Sequence, residues 1–256
     1  PGSDAVTDII TSFGGGKTHT LTALYHLAQE GKKASSWAGV QELLKEIRLK
    51  EVPTAKVVIL VADQIDVAQG IRKAKEPHRR SLWGELAWQL AGKRGLESIL
   101  ENDRNLTPPS GALIAPLIPS DEPCLILIDE LMRYIDKARG VKVHQTSLAS
   151  QVTEFVADLI EAVKTRPKTA LVVTLPASII EFSKESEDDY KRLKHRVSRA
   201  GRVRALTEGD EIYEIVRRRL FANPGDPEIC KQVAQAFYDY YRTHIDGFPA
   251  DVATAS

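Results

Sequence analysis

The stretch SFGGGKTHTL, residues 12–21, decides the expected fold, because it joins an apolar run to a helical pattern. The preceding residues 5–10, AVTDII, are typical of a buried strand, and the helical spacing after the loop continues to Gly31, which favours a helix end there. Strand, glycine loop and helix in this order are typical of proteins that alternate parallel strands with helices. Three consecutive glycines leave two interpretations open: a flexible turn that begins a helix, or a loop whose backbone N–H groups converge on phosphate.

Further apolar runs place this loop in a larger α/β fold. Three short runs rich in Val, Ile and Leu predict parallel strands that are buried on both faces. They are residues 56–62, 124–128 and 170–175. Two long patterns with apolar residues on one face predict helices, LWGELAWQLAG at 82–92 and the segment 146–165. We therefore predict a parallel sheet with helices on both faces. The stretch 101–123 carries five prolines and is predicted to be a surface loop or insertion.

The composition limits the class of protein. The 35 basic and 35 acidic residues cancel, so only a local patch could attract nucleic acid or an anionic membrane. Cys124 and Cys230 are not at metal-ligand spacing, and His19 and His26 have no third ligand nearby. The chain has no apolar run long enough to cross a membrane. We expect a reduced, cytoplasmic protein without a membrane segment. Because the sequence lacks an initiator Met and ends in small polar residues, we also expect it to be part of a longer chain.

The glycine loop fits the Walker A pattern G-x-x-x-x-G-K-[ST] of nucleotide-binding proteins, with Thr11 in place of the first glycine. The first glycine eases the bend out of the strand, whereas the later residues contact phosphate, so this departure weakens the match without removing it. We predict that ATP is bound by the loop and the start of the helix: Ser12, Phe13, Gly14, Gly15, Gly16, Lys17, Thr18 and His19. Lys17 is expected to reach the β- and γ-phosphates and to act in catalysis, and the Thr18 hydroxyl is expected to ligate Mg²⁺.

The run CLILIDE, residues 124–130, ends in two carboxylates, as in a Walker B pattern. Open parallel sheets bind ligands at the carboxyl ends of their strands, so we predict that Asp129 holds Mg²⁺ through its water shell. Glu130 is predicted to polarise the attacking water as a general base. The other interpretation is a pair of solvated acidic residues at a strand end. The extra strand 56–62 between the two motifs, together with the adjacent Glu, resembles the additional-strand class of P-loop ATPases.

The C-terminal part resembles ATPases of the AAA+ superfamily. Thr174 lies near the end of a predicted strand, where such ATPases keep a polar residue that helps to place the attacking water. A Thr exposed at a strand end is the alternative. The segment HRVSRAGRVRALTEGDEIYEIVRRRLF, residues 195–221, resembles the AAA+ junction that runs from an arginine-bearing loop through a fifth strand into a lid helix. In this reading the fifth strand is 203–206, and Thr207 caps the lid helix.

The AAA+ resemblance implies a fold and an assembly. The implied fold is a P-loop NTPase three-layer sandwich with strand order 5-1-4-3-2 and a partial helical lid. The ATPase core is expected at 1–206 and the start of a truncated lid at 207–256. The resemblance also implies a homo-oligomer in which Arg199, or failing that Arg196, stabilises charge on the ATP of the neighbouring subunit. A solvated basic loop is the alternative for both arginines.

Five segments together resemble a narrower group. They are FGGGKTHTLTALYHLA, LWGELAWQLAG, LILIDELMRYI, VTLPAS and EIYEIVRRRLF. These segments look like a family of large, poorly characterised prokaryotic AAA+ ATPases, catalogued as a domain of unknown function. Genes of that family are often found near DNA methylases and helicases in anti-phage defence clusters. The resemblance therefore implies a role on DNA, with a methylase or a helicase as possible partners.

These observations together predict a Mg²⁺-dependent ATPase that drives conformational work in a DNA-directed defence complex. Seven Lys and Arg residues between 191 and 204, and HRR at 78–80, are candidate contacts to DNA phosphates. They are equally explained as residues that face water or a neighbouring subunit. The alternative function is a nucleotide-dependent switch that assembles with partners and turns over little, although Glu130 favours hydrolysis. A DNA-remodelling motor differs from the first prediction only in where the force is applied.

Overall fold

The computed structural model of the chain describes residues 5–11, 16–176, 186–205, 220, 223 and 225–244. The predicted phosphate contacts of residues 12–15 and the predicted lid-helix cap at Thr207 lie outside these ranges. The chain divides into two compact units, Pro1–Leu206 and Thr207–Ser256. No helix of the described ranges is both long and apolar enough to span a membrane.

A five-stranded parallel sheet forms the centre of the first unit. Its strands are β1 (Val6–Thr11), β2 (Lys56–Val61), β3 (Cys124–Asp129), β6 (Thr169–Pro176) and β7 (Arg202–Ala205). Two further strands, β4 (Lys142–Val143) and β5 (Thr146–Ser147), form an antiparallel hairpin that the sequence analysis did not predict. The order across the large sheet is β2-β3-β6-β1-β7. With the hairpin left out of the count, the same order reads 5-1-4-3-2 from the β7 edge.

Helices cover both faces of the sheet, which confirms the predicted α/β class with a parallel sheet. They are α1 (Lys17–Glu30), α2 (Val40–Glu46), α3 (Leu82–Ser98), α4 (Leu100–Asn105), α5 (Gly111–Ile114), α6 (Leu131–Ala138), α7 (Leu148–Lys164) and α8 (Ser186–Ala200). Successive strand residues point to opposite faces. Val57 and Ile59 of β2 therefore pack with Leu21 of α1, whereas Val58 and Leu60 join the larger cluster beneath α3, α6, α7 and α8.

The hydrogen bonds at the outer edge of β2 show how α3 is fixed to the sheet. The Gln89 side chain accepts from the Ile59 N–H at 2.8 Å and donates to the Ile59 carbonyl at 2.8 Å. An edge strand otherwise exposes unpaired backbone groups to other chains. The Ser81 hydroxyl caps α3 by accepting from the Gly84 N–H at 3.0 Å. These contacts fix the start of α3 close to the end of β2, where the candidate site lies.

The proline-rich stretch 101–123 differs from the prediction of a surface loop. It contains most of α4, all of α5 and a 3₁₀ turn at Ala115–Leu117. Ile114 and Ile118 are buried, because apolar residues between the prolines pack into the core. The Asp158 carboxylate of α7 accepts from the Gly111 N–H at 3.2 Å at the start of α5. The prolines therefore shorten the helices without moving the segment to the surface.

The second unit contains a helix α9 (Pro227–His244) within the described residues. It lies within residues 207–256, which the sequence analysis assigned to a truncated lid. Its large apolar side chains recur at three- and four-residue spacing and are exposed; they are Ile229, Val233, Phe237 and Tyr240. The helix therefore carries an apolar stripe of the kind that packs against another element.

Candidate functional site

Three elements of the first unit bring polar side chains together at the carboxyl edge of the sheet. Asp129 is the last residue of β3, and Thr174 lies on the neighbouring strand β6. Thr18 is the second residue of α1, directly after the glycine loop. The chain separates Thr18 from Asp129 by 111 residues and Asp129 from Thr174 by 45 residues. The parallel topology is what makes them neighbours, because it collects the carboxyl ends of successive strands at one edge.

Asp129 is the centre of this group, which we call the Asp129 cluster: Thr18, Asp129, Glu130 and Thr174. The Thr18 hydroxyl donates to Asp129 Oδ2 at 2.8 Å. The Thr174 hydroxyl donates to Asp129 Oδ1 at 2.6 Å. Asp129 is only 4% exposed and Thr174 only 3% exposed. A buried carboxylate whose two oxygens are both hydrogen-bonded is held in one orientation, so the cluster is pre-organised.

Glu130 occupies the turn between β3 and α6. Its backbone is left-handed, with φ 54° and ψ 32°, which costs a residue with a side chain about 1 kcal/mol. The Glu130 N–H donates to Asp129 Oδ1 at 3.1 Å, and this contact helps to hold the turn. The side chain is about one-third exposed, and Arg133 Nε lies 3.2 Å from Glu130 Oε2. The left-handed turn thus places a partly exposed carboxylate directly after the buried Asp129.

The surroundings of Glu130 change its proton affinity. Partial burial raises the pKa of Glu130 above its ordinary value of 4.5, and the charges of Asp129 and Asp63 raise it further. The charges of Arg133 and Lys17 oppose this rise in pKa. A carboxylate with a raised pKa is a stronger base while it stays ionised, which suits a group that accepts a proton near neutral pH.

The start of α1 supplies positive potential next to the cluster. Gly16 precedes the helix in a left-handed conformation, with φ 82°, which favours glycine. The first turn of α1 contains no acidic residue of its own that would offset the positive N-terminal end of the helix dipole. The Gly16 carbonyl accepts from the Thr20 N–H at 2.9 Å, which shows that the helix begins immediately after the loop. Lys17 adds a full charge to this end of the helix.

His19 lies on the outer side of α1. It is exposed and lines a shallow groove of about 440 Å³ together with Thr18, Thr22, His26 and Trp37. The described part of the chain contains no group of His, Cys, Asp and Glu arranged to hold a metal ion by themselves. The contact of His19 with ATP stays a prediction.

Arg196 and Arg199 are not brought to the Asp129 cluster. Both lie on α8, and the predicted arginine-bearing loop is wrong here, because Leu193 and Val197 form a buried helical face that extends the helix to Ala200. Gly201, directly after α8, packs against the Val6 carbonyl at the start of β1.

The length of β1 then separates these arginines from Thr18. The strand has six residues, and a strand of this length spans roughly 17–20 Å. Arg196 forms a paired contact with Glu154, at 2.8 and 3.0 Å. Arg199 is exposed and lines a groove of about 340 Å³ with Lys164 and His195. The two arginines therefore lie towards the amino end of the sheet, and only Arg199 is largely accessible.

Sequence reasoning missed three features of the site. It did not foresee the direct hydrogen bonds from two threonines to Asp129, because such contacts require the strand order. It also missed Arg133, although its spacing of three residues from Glu130 on a helix start is a readable signal. Asp63, which raises the pKa of Glu130, lies two residues after the end of β2 and was detectable as an acidic residue near a strand end.

The fold and site define an α/β protein with a five-stranded parallel sheet and a pre-organised polar cluster at the carboxyl edge of that sheet. Residues 2–207 match the model of the DUF499 N-terminal domain, and the chain belongs to this family. The match agrees with the expectation of a poorly characterised family. A comparison with curated proteins gives no match to this chain.

Proposed function

We propose that this protein binds ATP together with Mg²⁺ and hydrolyses the nucleotide. The observation that carries the proposal is the pair of hydrogen bonds that join Thr18 and Thr174 to the two oxygens of Asp129. One hydroxyl belongs to Thr18, which follows a Gly-Lys pair in the first turn of a helix, and the carboxylate comes from a strand end. This is the combination that nucleotide-binding loops use beside a phosphate-bound metal ion.

The donor set of the cluster fits Mg²⁺. This ion prefers oxygen ligands and usually keeps several of its waters. Thr18 and Asp129 both offer oxygen atoms, which lie 2.8 Å apart in a hydrogen bond. Thr18 would bind the ion directly and Asp129 would hold it through its water shell, and the ion would neutralise charge on the phosphates when bound. Lys17 and the N-terminal end of α1 add positive potential for the phosphates.

The proposed chemistry assigns Glu130 to the attacking water. Its raised pKa makes it a stronger base than an ordinary glutamate, and its turn places it next to Asp129, to whose Oδ1 the Glu130 backbone N–H donates. The Thr174 hydroxyl is fixed by its bond to Asp129, so its oxygen can accept a hydrogen bond from that water. Glu130 would take the proton, and Thr174 would orient the water.

We further infer that the sheet is the core of a P-loop AAA+ ATPase. The strand order 5-1-4-3-2, counted without the hairpin, supports this inference. The position of the cluster also supports it, because Asp129 and Thr174 lie on the third and fourth sheet strands and Thr18 lies at the start of the helix after the first strand. In that class the arginine before the fifth strand acts on the neighbouring subunit. Arg199 suits this role better than Arg196, because Glu154 already pairs with Arg196.

The proposed biological role is conformational work in a DNA-directed anti-phage defence complex. The second candidate is a nucleotide-dependent switch with little turnover. The ion pair between Glu130 and Arg133 favours this second candidate, because a carboxylate paired with a cation is a weaker base.

Steady-state ATP hydrolysis by the full-length protein, with and without duplex DNA, tests the proposal. A motor or remodelling ATPase turns over ATP and is stimulated by DNA. Tight ATP binding without turnover in either condition would favour the switch. Absence of ATP binding would contradict both functions.

A further inference from the structure

The loop 66–80 leaves the sheet at the same edge as the Asp129 cluster. It follows β2, whose last residue Val61 pairs with Asp129, and the 3₁₀ turn Ala62–Gln64. Lys137 of α6 donates to the Asp63 carbonyl at 3.4 Å at the base of this loop. The loop therefore starts beside the cluster and returns to the start of α3 at Leu82.

The two arms of the loop are held together by backbone hydrogen bonds. The Ile71 N–H donates to the Arg79 carbonyl at 2.7 Å, and the Arg79 N–H donates to the Ile71 carbonyl at 3.2 Å. Gly70 has φ 66°, and a Cβ at this position would lie 2.2 Å from the Arg79 carbonyl oxygen. The close approach of the two arms thus requires glycine at position 70. The loop 66–80 is therefore narrow and its backbone is held by hydrogen bonds, and we call it the finger.

Arg79 fixes the finger to the protein. Its guanidinium is fully buried and lies 2.7 Å from both Glu76 Oε2 and Glu85 Oε2. It also lies 5.3 Å from the centre of the Trp88 ring. The sequence analysis treated HRR at 78–80 as a candidate contact to phosphate. This prediction is wrong for Arg79, because its guanidinium is buried and paired with the carboxylates of Glu76 and Glu85.

Asp103 holds the second arm of the finger at its base. Its carboxylate accepts from the Arg80 N–H at 3.0 Å and from the Ser81 N–H at 3.0 Å. The Arg80 side chain itself donates to the Arg104 carbonyl at 2.6 Å. The base of the finger is therefore a buried polar network, and the exposed charges lie elsewhere on the loop.

Three cations project from the tip of the finger. Arg72, Lys73 and Lys75 are all exposed, and a turn closed by the Glu76 N–H and the Lys73 carbonyl at 3.2 Å carries them. Lys75 adopts the left-handed conformation, with φ 66°, which reverses the chain within the tip. In the part of the chain that the structure describes, none of the three forms an ion pair with a carboxylate.

The acidic residues of the finger do not neutralise the tip. Asp66 accepts from the Gln69 N–H at 2.6 Å and from the Ala68 N–H at 2.9 Å, and these contacts hold the pKa of Asp66 below its ordinary value. Glu76 is paired with the buried Arg79. Both carboxylates therefore have partners within the finger itself. The electrostatic potential at the tip is positive although the chain has no net charge.

We propose that the tip of loop 66–80 binds the phosphate backbone of a nucleic acid. Contacts to phosphate are made by Lys and Arg and need no apolar anchor. Protein partners are instead held by buried aromatic and apolar side chains, and the tip offers only Ala74 beside its cations. The contact is independent of base sequence. This proposal deepens the proposed role on DNA by naming a surface, and it rests on that role only for the choice of DNA as the probe.

The test compares two triple variants of the full-length protein with the parent. The first is Arg72→Gln with Lys73→Gln and Lys75→Gln. The matched control is Lys45→Gln with Arg48→Gln and Lys50→Gln, which removes the same charge from another exposed segment. Binding of fluorescent duplex DNA and of its single strand is measured by anisotropy without nucleotide, at salt from about 50 to 200 mM.

We expect the tip variant to bind more weakly by roughly 10²-fold or more at the lowest salt. Its slope of log affinity against log salt should become shallower by about one for each substituted cation. The control variant should resemble the parent. Preference for the duplex or for the single strand identifies which form the tip contacts, and binding of either form supports the proposal.

Three outcomes would overturn the proposal. They are a parent protein that binds neither DNA, a tip variant with unchanged affinity and salt slope, and competition by poly-glutamate as strong as that by DNA. Calorimetry of ATP binding by the same variants separates the two proposals. Loss of DNA binding with normal ATP binding concerns only the tip, whereas absence of ATP binding in the parent concerns only the Asp129 cluster.

Discussion

At the residue scale, Asp129 organises the candidate site. Its two oxygens accept from hydroxyls on two different elements, and its neighbour Glu130 is held in a left-handed turn. Thr18, Asp129 and Glu130 were predicted from motif positions and Thr174 from the AAA+ resemblance, and the structure places all four in one cluster. Their hydrogen-bond pattern was not predictable, because it depends on which strands are neighbours.

Glu130→Gln separates nucleotide binding from hydrolysis. The substitution keeps the size and hydrogen-bonding reach of the side chain but removes its basicity, so turnover should fall by roughly 10²-fold or more. ATP affinity should stay close to that of the parent. Because burial raises the pKa of Glu130 above 4.5, parental turnover should also fall with acid at a midpoint above that value. Activity and calorimetry check both statements.

The control for Glu130→Gln is Glu46→Gln, which changes an exposed carboxylate at the end of α2. Its turnover and pH profile should match those of the parent. Parental turnover in Glu130→Gln would mean that another group accepts the proton.

At the scale of helices and strands, the spacing of apolar residues and the glycines at helix ends predicted much of the fold. The four apolar runs became β1, β2, β3 and β6, and α1 ends at Glu30 directly before Gly31 as its pattern predicted. The predicted end of α3 at Gly92 is a break with φ 61°, after which the chain resumes helical structure to Ser98. Local signals located the break, but packing of residues beyond it decided that the helix continues.

The contact between β1 and α8 contains a buried carboxyl group that predicts a pH-dependent stability. Asp8 is 1% exposed, and burial raises its pKa from 3.8 to about 6, against the lowering effects of Lys194 and Ser198. The folded state therefore binds the Asp8 proton more tightly than the unfolded state does. This contribution is fully present below pH 4 and is lost as the pH rises through 6.

Asp8→Asn should remove that loss. The variant should be more stable than the parent at pH 8, by up to roughly 3 kcal/mol, and little different at pH 4. Urea unfolding at both pH values measures the difference. Asp188→Asn, which changes an exposed carboxylate on α8, is the control. A difference of equal size at both pH values would show that Asp8 does not titrate in this range.

At the scale of the whole molecule, the position of Arg199 predicts cooperation between subunits. Arg199 lies towards the amino end of the sheet, and the cluster lies at the carboxyl end. Such an arginine, supplied by a neighbour, contributes about 10³–10⁵ to the rate in other nucleotide hydrolases. Arg199→Ala should therefore abolish turnover while leaving ATP binding nearly intact, and parental turnover per subunit should rise with protein concentration.

Mixing experiments distinguish a shared site from a damaged fold. A mixture of Arg199→Ala with Lys17→Ala should regain some turnover, because some interfaces combine an intact loop with an intact arginine. Arg192→Ala, on the exposed side of the same helix, should behave like the parent. Full activity of Arg199→Ala at every concentration would mean that each chain completes its own site.

The central claim is that the start of α1 and the Asp129 cluster bind ATP with Mg²⁺. Calorimetric titration of the full-length protein with ATP and Mg²⁺, in the parent and in Lys17→Ala, tests it most directly. We expect binding by the parent and a severe loss of affinity in the variant, because the phosphates lose a charged partner beside the helix N-terminus. Equal affinity in both proteins, or no binding by a folded parent, would contradict the claim.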